Sequence, residues 1–301
     1  MNLSRFDPLT LRLFLAAAST LNLTKVAAEM HMTLSAVSKR ISELEKELGC
    51  SLFVRQARGL ELTAAGRGLI SHAEKVLFAI NRLSADMQDY ALGLKGQVRL
   101  WANTSSIIQF LPKDLALFSQ QHPDIHLNLE ERNSIDIITA LTQGRIDIGI
   151  FADNVPSPSI EKFLYRQDEL VVLVPVQHPL SLKQQLNFID VLAYDLVGLS
   201  EGASLLKRLQ DASLQAQIPL KLRVQVNSFD AICRMIEAGL GIGILPLQSV
   251  PPEILGKRLI YIPLNEPWAM RTLWIGVRSL LGLTPDALSL LQFLKNTPTI
   301  K

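Results

Sequence analysis

The hydrophobic pattern of the chain changes period near residue 95. Before that point apolar residues recur at helical spacing; after it, short apolar runs alternate with amphipathic helical stretches. Leu9, Leu13, Phe14 and Ala17 share one helical face. Asn22 or Thr24 can cap a second, shorter helix with Val26, Ala27 and Met30 on one side. A tight break follows at His31-Met32-Thr33. Thr33 or Ser35 then caps a longer helix whose buried stripe is Val37, Ile41, Leu44 and Leu48, ended by Gly49 at the C′ position. Two helices joined by so short a turn form a helix-turn-helix. Ala27 is small where the helices approach, and Val37 fills the space between them, within a frame from Leu23 to Ser42. Glycine would suit a positive φ at His31 better than histidine does.

Ser35, Ala36, Ser38, Lys39 and Arg40 face away from the buried stripe, with Thr33 at the helix start. Small hydroxylated groups at that end let a backbone enter a major groove, and the bases after them reach phosphates or guanine edges. The stretch Ser51–Thr63 alternates Leu52/Val54 with Leu60/Leu62 around an Arg/Gly-bearing turn. It reads as a β-hairpin wing with Arg55 and Arg58 at its tip, Phe53 having a structural task. Thr63 then caps a long helix reaching about Gly93, with the apolar seam Leu69, Val76, Leu77, Ile80, Leu83, Met87 and Ala91. Such a helix needs a partner, and no core within one chain is evident for that seam.

Beyond Gly96 the pattern predicts strands at Val98–Ala102, His126–Glu131 and Ile146–Phe151, separated by helices at Ile107–Gln121 and Ser134–Gln143. This βαβαβ order predicts a parallel core with its ligand edge at the strand C-termini. Further strands are expected near Glu169–Pro175, Asp195–Leu199 and Lys221–Val226, then a helix Phe229–Ala238 and the run Gly239–Leu247. Arg258–Pro263 and Thr272–Val277 read as strands returning through the first unit, closed by a helix Pro285–Leu294.

Composition narrows the class. A chain of 301 residues that is 48% apolar and 19% charged has enough apolar material for about two cored domains. Two cysteines far apart, Cys50 and Cys233, suggest reduced thiols in a cytosol. Apolar runs such as Leu170–Val176 are too short to span a bilayer, and Arg12 inside Leu11–Ala18 argues against a signal peptide. Residues 1–95 hold 12 Lys/Arg against 9 Asp/Glu, and the remainder 18 against 19. The small excess points to the first segment as the place to seek an anionic partner.

Three motifs invite enzyme or metal readings. Gly198-Leu199-Ser200-Glu201-Gly202 satisfies G-x-S-x-G between a strand and a helix. All five histidines (31, 72, 122, 126 and 178) precede Ser200, so the Ser-acid-His order of such hydrolases is not met. Gly239-Leu240-Gly241-Ile242-Gly243 follows a helix and leads into Pro246, the reverse of a dinucleotide fingerprint. Its glycines fit a tight turn with close backbone approach. His122 and His126 have the spacing of a helical metal pair, but Pro123 lies between them and no third ligand is near. No metal, cofactor or catalytic residue is expected.

Strand ends locate a cleft instead. Thr104, Ser105 and Ser106 follow Asn103 at the end of the first strand and the start of its helix, where hydroxyls and free amides suit a carboxylate. Phe151 and Ala152, Ser200–Gly202 (with Glu201) and Asn227-Ser228-Phe229 end other strands and are expected to face them, Phe151 and Phe229 as an apolar wall.

Residues 1–95 resemble the winged helix-turn-helix and linker helix of the LysR-type transcriptional regulators. The resemblance rests on Ala27-Ala28-Glu29-Met30-His31-Met32-Thr33, Ser35-Ala36-Val37-Ser38-Lys39-Arg40-Ile41, Leu44-Glu45, Leu48-Gly49, Leu52-Phe53, Arg55 and Leu62-Thr63-Gly66. His31 is common in that turn of the family. Gln143–Ile150 and Ala238–Pro246 match the family's periplasmic-binding-protein-like effector domain, so the resemblance covers the whole chain. It implies a multi-domain fold: a mostly α winged helix-turn-helix (1–63), a long linker and dimerisation helix (64–95), and a two-lobed α/β effector domain (96–301). Lobe I would comprise 96–165 and 268–301, and lobe II 166–267. The implied function is a cytoplasmic, sequence-specific DNA-binding transcriptional regulator, modulated by a small anionic or polar metabolite in the cleft. Its implied partners are double-stranded DNA, a second or fourth copy of itself, and RNA polymerase if it activates, with no membrane. Thr33, Ser35, Ala36, Ser38, Lys39, Arg40, Arg55 and Arg58 would contact DNA. Thr104, Ser105, Ser106, Phe151, Ser200, Glu201, Asn227 and Phe229 would contact the effector. The competing reading is a metabolite-binding module or hydrolase that keeps a vestigial helical head.

Overall fold

A computed structural model describes residues 7–56, 59–91 and 97–297. They fall into two compact units, residues 1–93 and 94–301.

The first unit contains α1 (Pro8–Thr20), α2 (Leu23–Glu29), α3 (Leu34–Leu48), the hairpin β1 (Phe53–Gln56) and β2 (Gly59–Leu62), and α4 (Ala64–Ala91). Each short helix begins on a side-chain cap: Asp7 for α1, Asn22 for α2 and Thr33 for α3. Between α2 and α3, His31 takes the left-handed conformation at φ 52°, and Gly49 ends α3 at φ 67°. Val26, Ala27, Val37, Ile41 and Leu44 then meet Leu11, Phe14 and Ala17 in one core.

The wing is fastened to this core at its root. Glu45 Oε1 accepts the amides of Leu52 (2.8 Å) and Phe53 (3.1 Å). The Phe53 ring lies 5.7 Å from that of Phe14. Thr63 caps α4 by accepting from the Gly66 amide at 2.9 Å. A methyl on Gly66 would stand 2.2 Å from the Leu52 carbonyl oxygen, so only glycine lets α4 lie this close to the wing.

The apolar seam of α4 divides. Ala73 and Leu77 are buried in the head core and Leu69 packs against it, which supplies the intrachain core that the pattern alone did not reveal. Val76, Leu83 and Met87 remain exposed. With the half-buried Ile80 they form a stripe spaced four, three and four residues apart, the spacing that a coiled-coil seam uses. The side chain of Ala91 lies outside the described residues.

In the second unit, β3 (Gln97–Ala102), β4 (His126–Glu131) and β5 (Ile148–Ala152) are parallel, in the order β4-β3-β5. The helices α5 (Thr104–Gln109), α6 (Leu111–Gln121) and α7 (Ser134–Gln143) connect them. The single helix expected over 107–121 is two, broken at Phe110. Pro112 has no amide to continue a helix from above, but fits the first turn of a new one.

A long strand, β6 (Glu161–Pro175), joins the lobes. Its first part, to Glu169, pairs with β11 (Met270–Val277), which also pairs with β5. Its second part, from Leu170, pairs with β9 (Gly243–Pro246) and β10 (Leu259–Pro263). Thus Arg258–Pro263, which the strand pattern alone sent back through the first unit although the family bounds put it within 166–267, lies in the second lobe, because β10 pairs with the far half of the shared strand. The second lobe is completed by α8 (Phe188–Val191), the parallel pair β7 (Leu196–Leu199) and β8 (Leu222–Val226), α9 (Ser204–Ala216) and α10 (Phe229–Glu237). The helix α11 (Pro285–Asn296) covers the first-lobe core through Ala287, Leu290, Leu291 and Leu294.

Gly241, in the glycine run, has φ 152°, and a methyl there would lie 2.5 Å from the Asp195 carbonyl oxygen. The run links α10 to β9 and lays its backbone close against that of Asp195, just ahead of β7. His122 caps the end of α6 with its ring stacked on Phe118 at 4.6 Å, while His126 opens β4.

Candidate effector cleft and nucleic-acid interface

The C-terminal ends of β3 and β4 in one lobe, and of β7 and β8 in the other, open onto a cavity of about 580 Å³. That falls within the range of small-molecule sites. Of the residues expected to contact an effector, Thr104, Ser105, Ser200, Glu201 and Asn227 line it. Asn103, named in the loop but given no contact in the sequence reading, joins them, as do Glu131, Arg132, Asn133, Ser134, Ala203 and Ser204, which that reading did not single out. The β4 end carries three of these, and the strand-end rule applied to His126–Glu131 would have found them.

Asn103 is buried at the mouth of α5. Its Oδ1 accepts the Ser106 amide (3.0 Å) and hydroxyl (2.7 Å), leaving Nδ2 buried with no partner among the described residues. The Thr104 hydroxyl donates to Glu131 at 2.5 Å. Ser105 Oγ accepts from Arg271 at 3.2 Å. The α7 terminus is closed by Asn133, which accepts from the Asp136 amide, whereas α9 begins at Ala203 with no capping side chain. Arg132 pairs with Glu130 at 2.6 Å and lies 5.2 Å over the Trp101 ring.

Across the cleft, a methyl on Gly202 would stand 3.6 Å from Asn133 Nδ2, so the lobes nearly touch there. They also meet through the Arg208–Asp153 ion pair, and Asn154 Nδ2 donates to the Ser204 carbonyl at 2.9 Å. Burial weakens the hold of Arg208 on its proton, and Asp153 acts in the opposite sense.

Three expected effector contacts are corrected. Ser106 is fully buried, its hydroxyl consumed by the Asn103 cap. Phe151 is 0% exposed and fills the space left by Gly276 on the neighbouring strand, where a methyl would lie 2.5 Å from its ring. Phe229 is 0% exposed as well, since it falls on the buried stripe of α10 with Ile232, Cys233 and Ile236. The wall of the cleft is accordingly polar. Ser200, centre of the G-x-S-x-G match, donates its hydroxyl to the Val226 carbonyl at 3.3 Å.

On the head, Thr33, Ser35 and Lys39 are exposed and Ala36 half-buried along one side of α3, the Thr33 and Ser35 hydroxyls 3.1 Å apart. Ser38 is half-buried and lines a hollow of about 60 Å³ with Ser42, Glu45, Phe53 and Leu60. Arg40 donates to Asp7 and to the Thr10 hydroxyl, both at 2.9 Å, tying α3 to the start of α1. Burial raises the pKa of the Asp7 carboxyl, but hydrogen bonds from Thr10 and the charge of Arg40 outweigh it and hold the group below its usual value. The side chain of Arg55 and the whole of Arg58 lie outside the described residues.

Residues 9–67 match the family model of the bacterial regulatory helix-turn-helix protein, lysR family, and residues 91–298 match that of the LysR substrate binding domain. The chain belongs to the LysR family. It is a LysR-type transcriptional regulator with a helix-turn-helix head and an effector-binding domain. Among its relatives, the transcriptional dual regulator GltC of Bacillus subtilis is 28% identical over 286 residues, 94% of each chain. A probable RuBisCO transcriptional regulator of Trichormus variabilis is 25% identical over 271 residues, 88% of this chain and 80% of that one. The crystal structure of full-length BenM matches 96% of this LysR chain and 95% of its own with TM-score 0.58 at 25% identity. Among the described residues, no helix is long and apolar enough to cross a membrane.

Proposed function

We propose that this LysR-family chain binds operator DNA through α3 and the wing, and that a small polar effector in the cleft changes that binding. The observation that carries the proposal is Asn103. A donor buried beside a cavity with no partner among the described residues is costly to leave unmatched, and a ligand acceptor would satisfy it. Thr33, Ser35 and Lys39 would face the bases and nearby phosphates, and Arg55 and Arg58 would reach phosphates and the minor groove. Ser38 would reach the DNA beside them, Arg40 would act by holding α3 against α1, and Ala36 would permit close approach.

The effector contacts in this reading are Thr104, Ser105, Ser200, Glu201 and Asn227, joined by Asn103 and the end of β4. The cleft would bind without turnover: among the described residues its lining holds no histidine, and Ser200 spends its hydroxyl on a backbone carbonyl. The domains in this reading are 1–63, 64–95 and 96–301, and the α4 stripe pairs two chains in the cytoplasm so that two heads read a two-fold site. Gel-shift with genomic fragments flanking the protein's own coding region tests DNA recognition. A fragment bound at nanomolar concentration over excess nonspecific DNA supports it; uniform weak binding to all fragments contradicts it.

A further inference from the structure

The chemistry of the cavity constrains its ligand further than polarity does, given that the cleft is the effector site proposed above. Two carboxylates line it, Glu131 from the end of β4 and Glu201 from the turn after β7. They come from opposite lobes, and each lies within two residues of the near-contact between Asn133 and Gly202. Among the described residues, Arg132 is the one cation in the lining, and Glu130 already pairs with it at 2.6 Å. A ligand carrying only negative charge would meet two acidic groups and a compensated arginine. A purely cationic ligand would leave the donors unmatched, namely Asn103 Nδ2 and the α9 terminus, which has no capping side chain.

We propose that the effector is a zwitterion of amino-acid type, with a carboxylate and a protonated amine on one small frame. Its carboxylate accepts from Asn103 Nδ2 and from the first-turn amides of α9, a 13-residue helix whose dipole favours negative charge at that end. Its ammonium lies between Glu131 and Glu201. Without a cation these carboxylates oppose closure of the lobes across the cavity; an ammonium between them reverses the sign of that interaction. The amine is then the group that links occupancy to lobe closure, and the carboxylate the group that anchors it.

The test uses the full chain and three matched probe sets in thermal-shift and calorimetric titrations. These are the common α-amino acids, the same molecules without the amine (the des-amino carboxylic acids), and the same molecules as carboxamides. The expected result is that at least one amino acid raises the melting temperature, with its des-amino and carboxamide counterparts at least tenfold weaker. Glu131→Gln and Glu201→Gln should each weaken that amino acid at least tenfold, while the des-amino acid, relieved of one repelling charge, binds no more weakly than before. A des-amino acid that binds as tightly as its parent overturns the proposal, and if Thr104→Trp abolishes that binding the cleft itself stands as the effector site. Absence of binding by every amino acid also overturns it, and the operator response to the pooled small-molecule fraction then decides the cleft reading separately.

Discussion

Arg271 and Asp168 form an ion pair in which each side chain is 1% exposed, and the same guanidinium donates to Ser105 in the wall of the cleft at 3.2 Å. Asp168 stands on β6 near the point where that strand passes from one lobe to the other, and also accepts from Gln109 at 2.9 Å. One network therefore joins the crossover strands, the first helix after β3 and a cleft residue. Removing one partner of a buried pair leaves an uncompensated charge and costs about 3–5 kcal/mol. Arg271→Leu should lower stability by that order in urea denaturation, and Arg271→Leu with Asp168→Asn should recover part of the loss. Equal loss in the single and double variants would show that the pair contributes through shape alone.

Gly66 should not accept a side chain. A β-carbon there meets a backbone carbonyl at 2.2 Å, which can yield only if the wing shifts. Gly66→Ala is expected to destabilise the head by roughly 1–3 kcal/mol, as overpacking does. Limited proteolysis should detect earlier cleavage around the wing, whereas Gly68→Ala, inside α4 with nothing within 4 Å, should leave the wing protected and stabilise the helix by about 0.5–1 kcal/mol.

The head was largely legible from sequence because its signals are local. Asn22, Thr33 and Gly49 announce helix ends through their own chemistry, and the Val37, Ile41 and Leu44 stripe follows from helical period. The cleft was legible in its polar loops and not in its aromatics. Phe151 sits at a strand end, where wall and core look alike in sequence; burial is decided by Gly276, which lies far along the chain on the strand paired with β5. Phe229 could have been placed from the apolar spacing of α10. The long β6 was read only in its second half because two buried positions of its first half, Arg166 and Asp168, carry charged side chains and break the apolar pattern. The partners of Arg40 were hidden because Asp7 and Thr10 are about thirty residues away in sequence.

On DNA, the exposed side of α3 and the wing should separate by their salt dependence. Arg55→Ala with Arg58→Ala should weaken all sequences alike and reduce the slope of log K against log salt by about 0.9 for each phosphate left without its cation. Ser35→Ala or Lys39→Ala should change operator preference, by about 1–3 kcal/mol at the affected base pair. Arg40→Gln should lower thermal stability more than it changes sequence preference, because its guanidinium ties α3 to α1. Anisotropy titrations at several salt concentrations measure the DNA terms, and thermal melts the last.

The exposed stripe of α4 should carry self-association. Leu83→Glu with Met87→Glu places charge on that stripe without touching the head core, to which neither residue belongs. Sedimentation at micromolar concentration should shift from dimer or larger to a smaller species, with helix content nearly unchanged. An unaltered sedimentation profile would place the interface elsewhere.

The central claim is that occupation of the cleft controls operator binding. Thr104 is the position to test it, being half-buried on the cavity wall, whereas filling Ser105 would also disturb Arg271. The decisive measurement is operator affinity of the wild-type chain and of Thr104→Trp, each with and without the sub-kilodalton fraction of a cell extract. A coupling of about 1–3 kcal/mol predicts a change of roughly 5–150-fold for the wild type. Thr104→Trp should bind the operator as the ligand-free protein does and show no response to the fraction. A full response in the filled variant would contradict the claim and move the effector site out of this cleft.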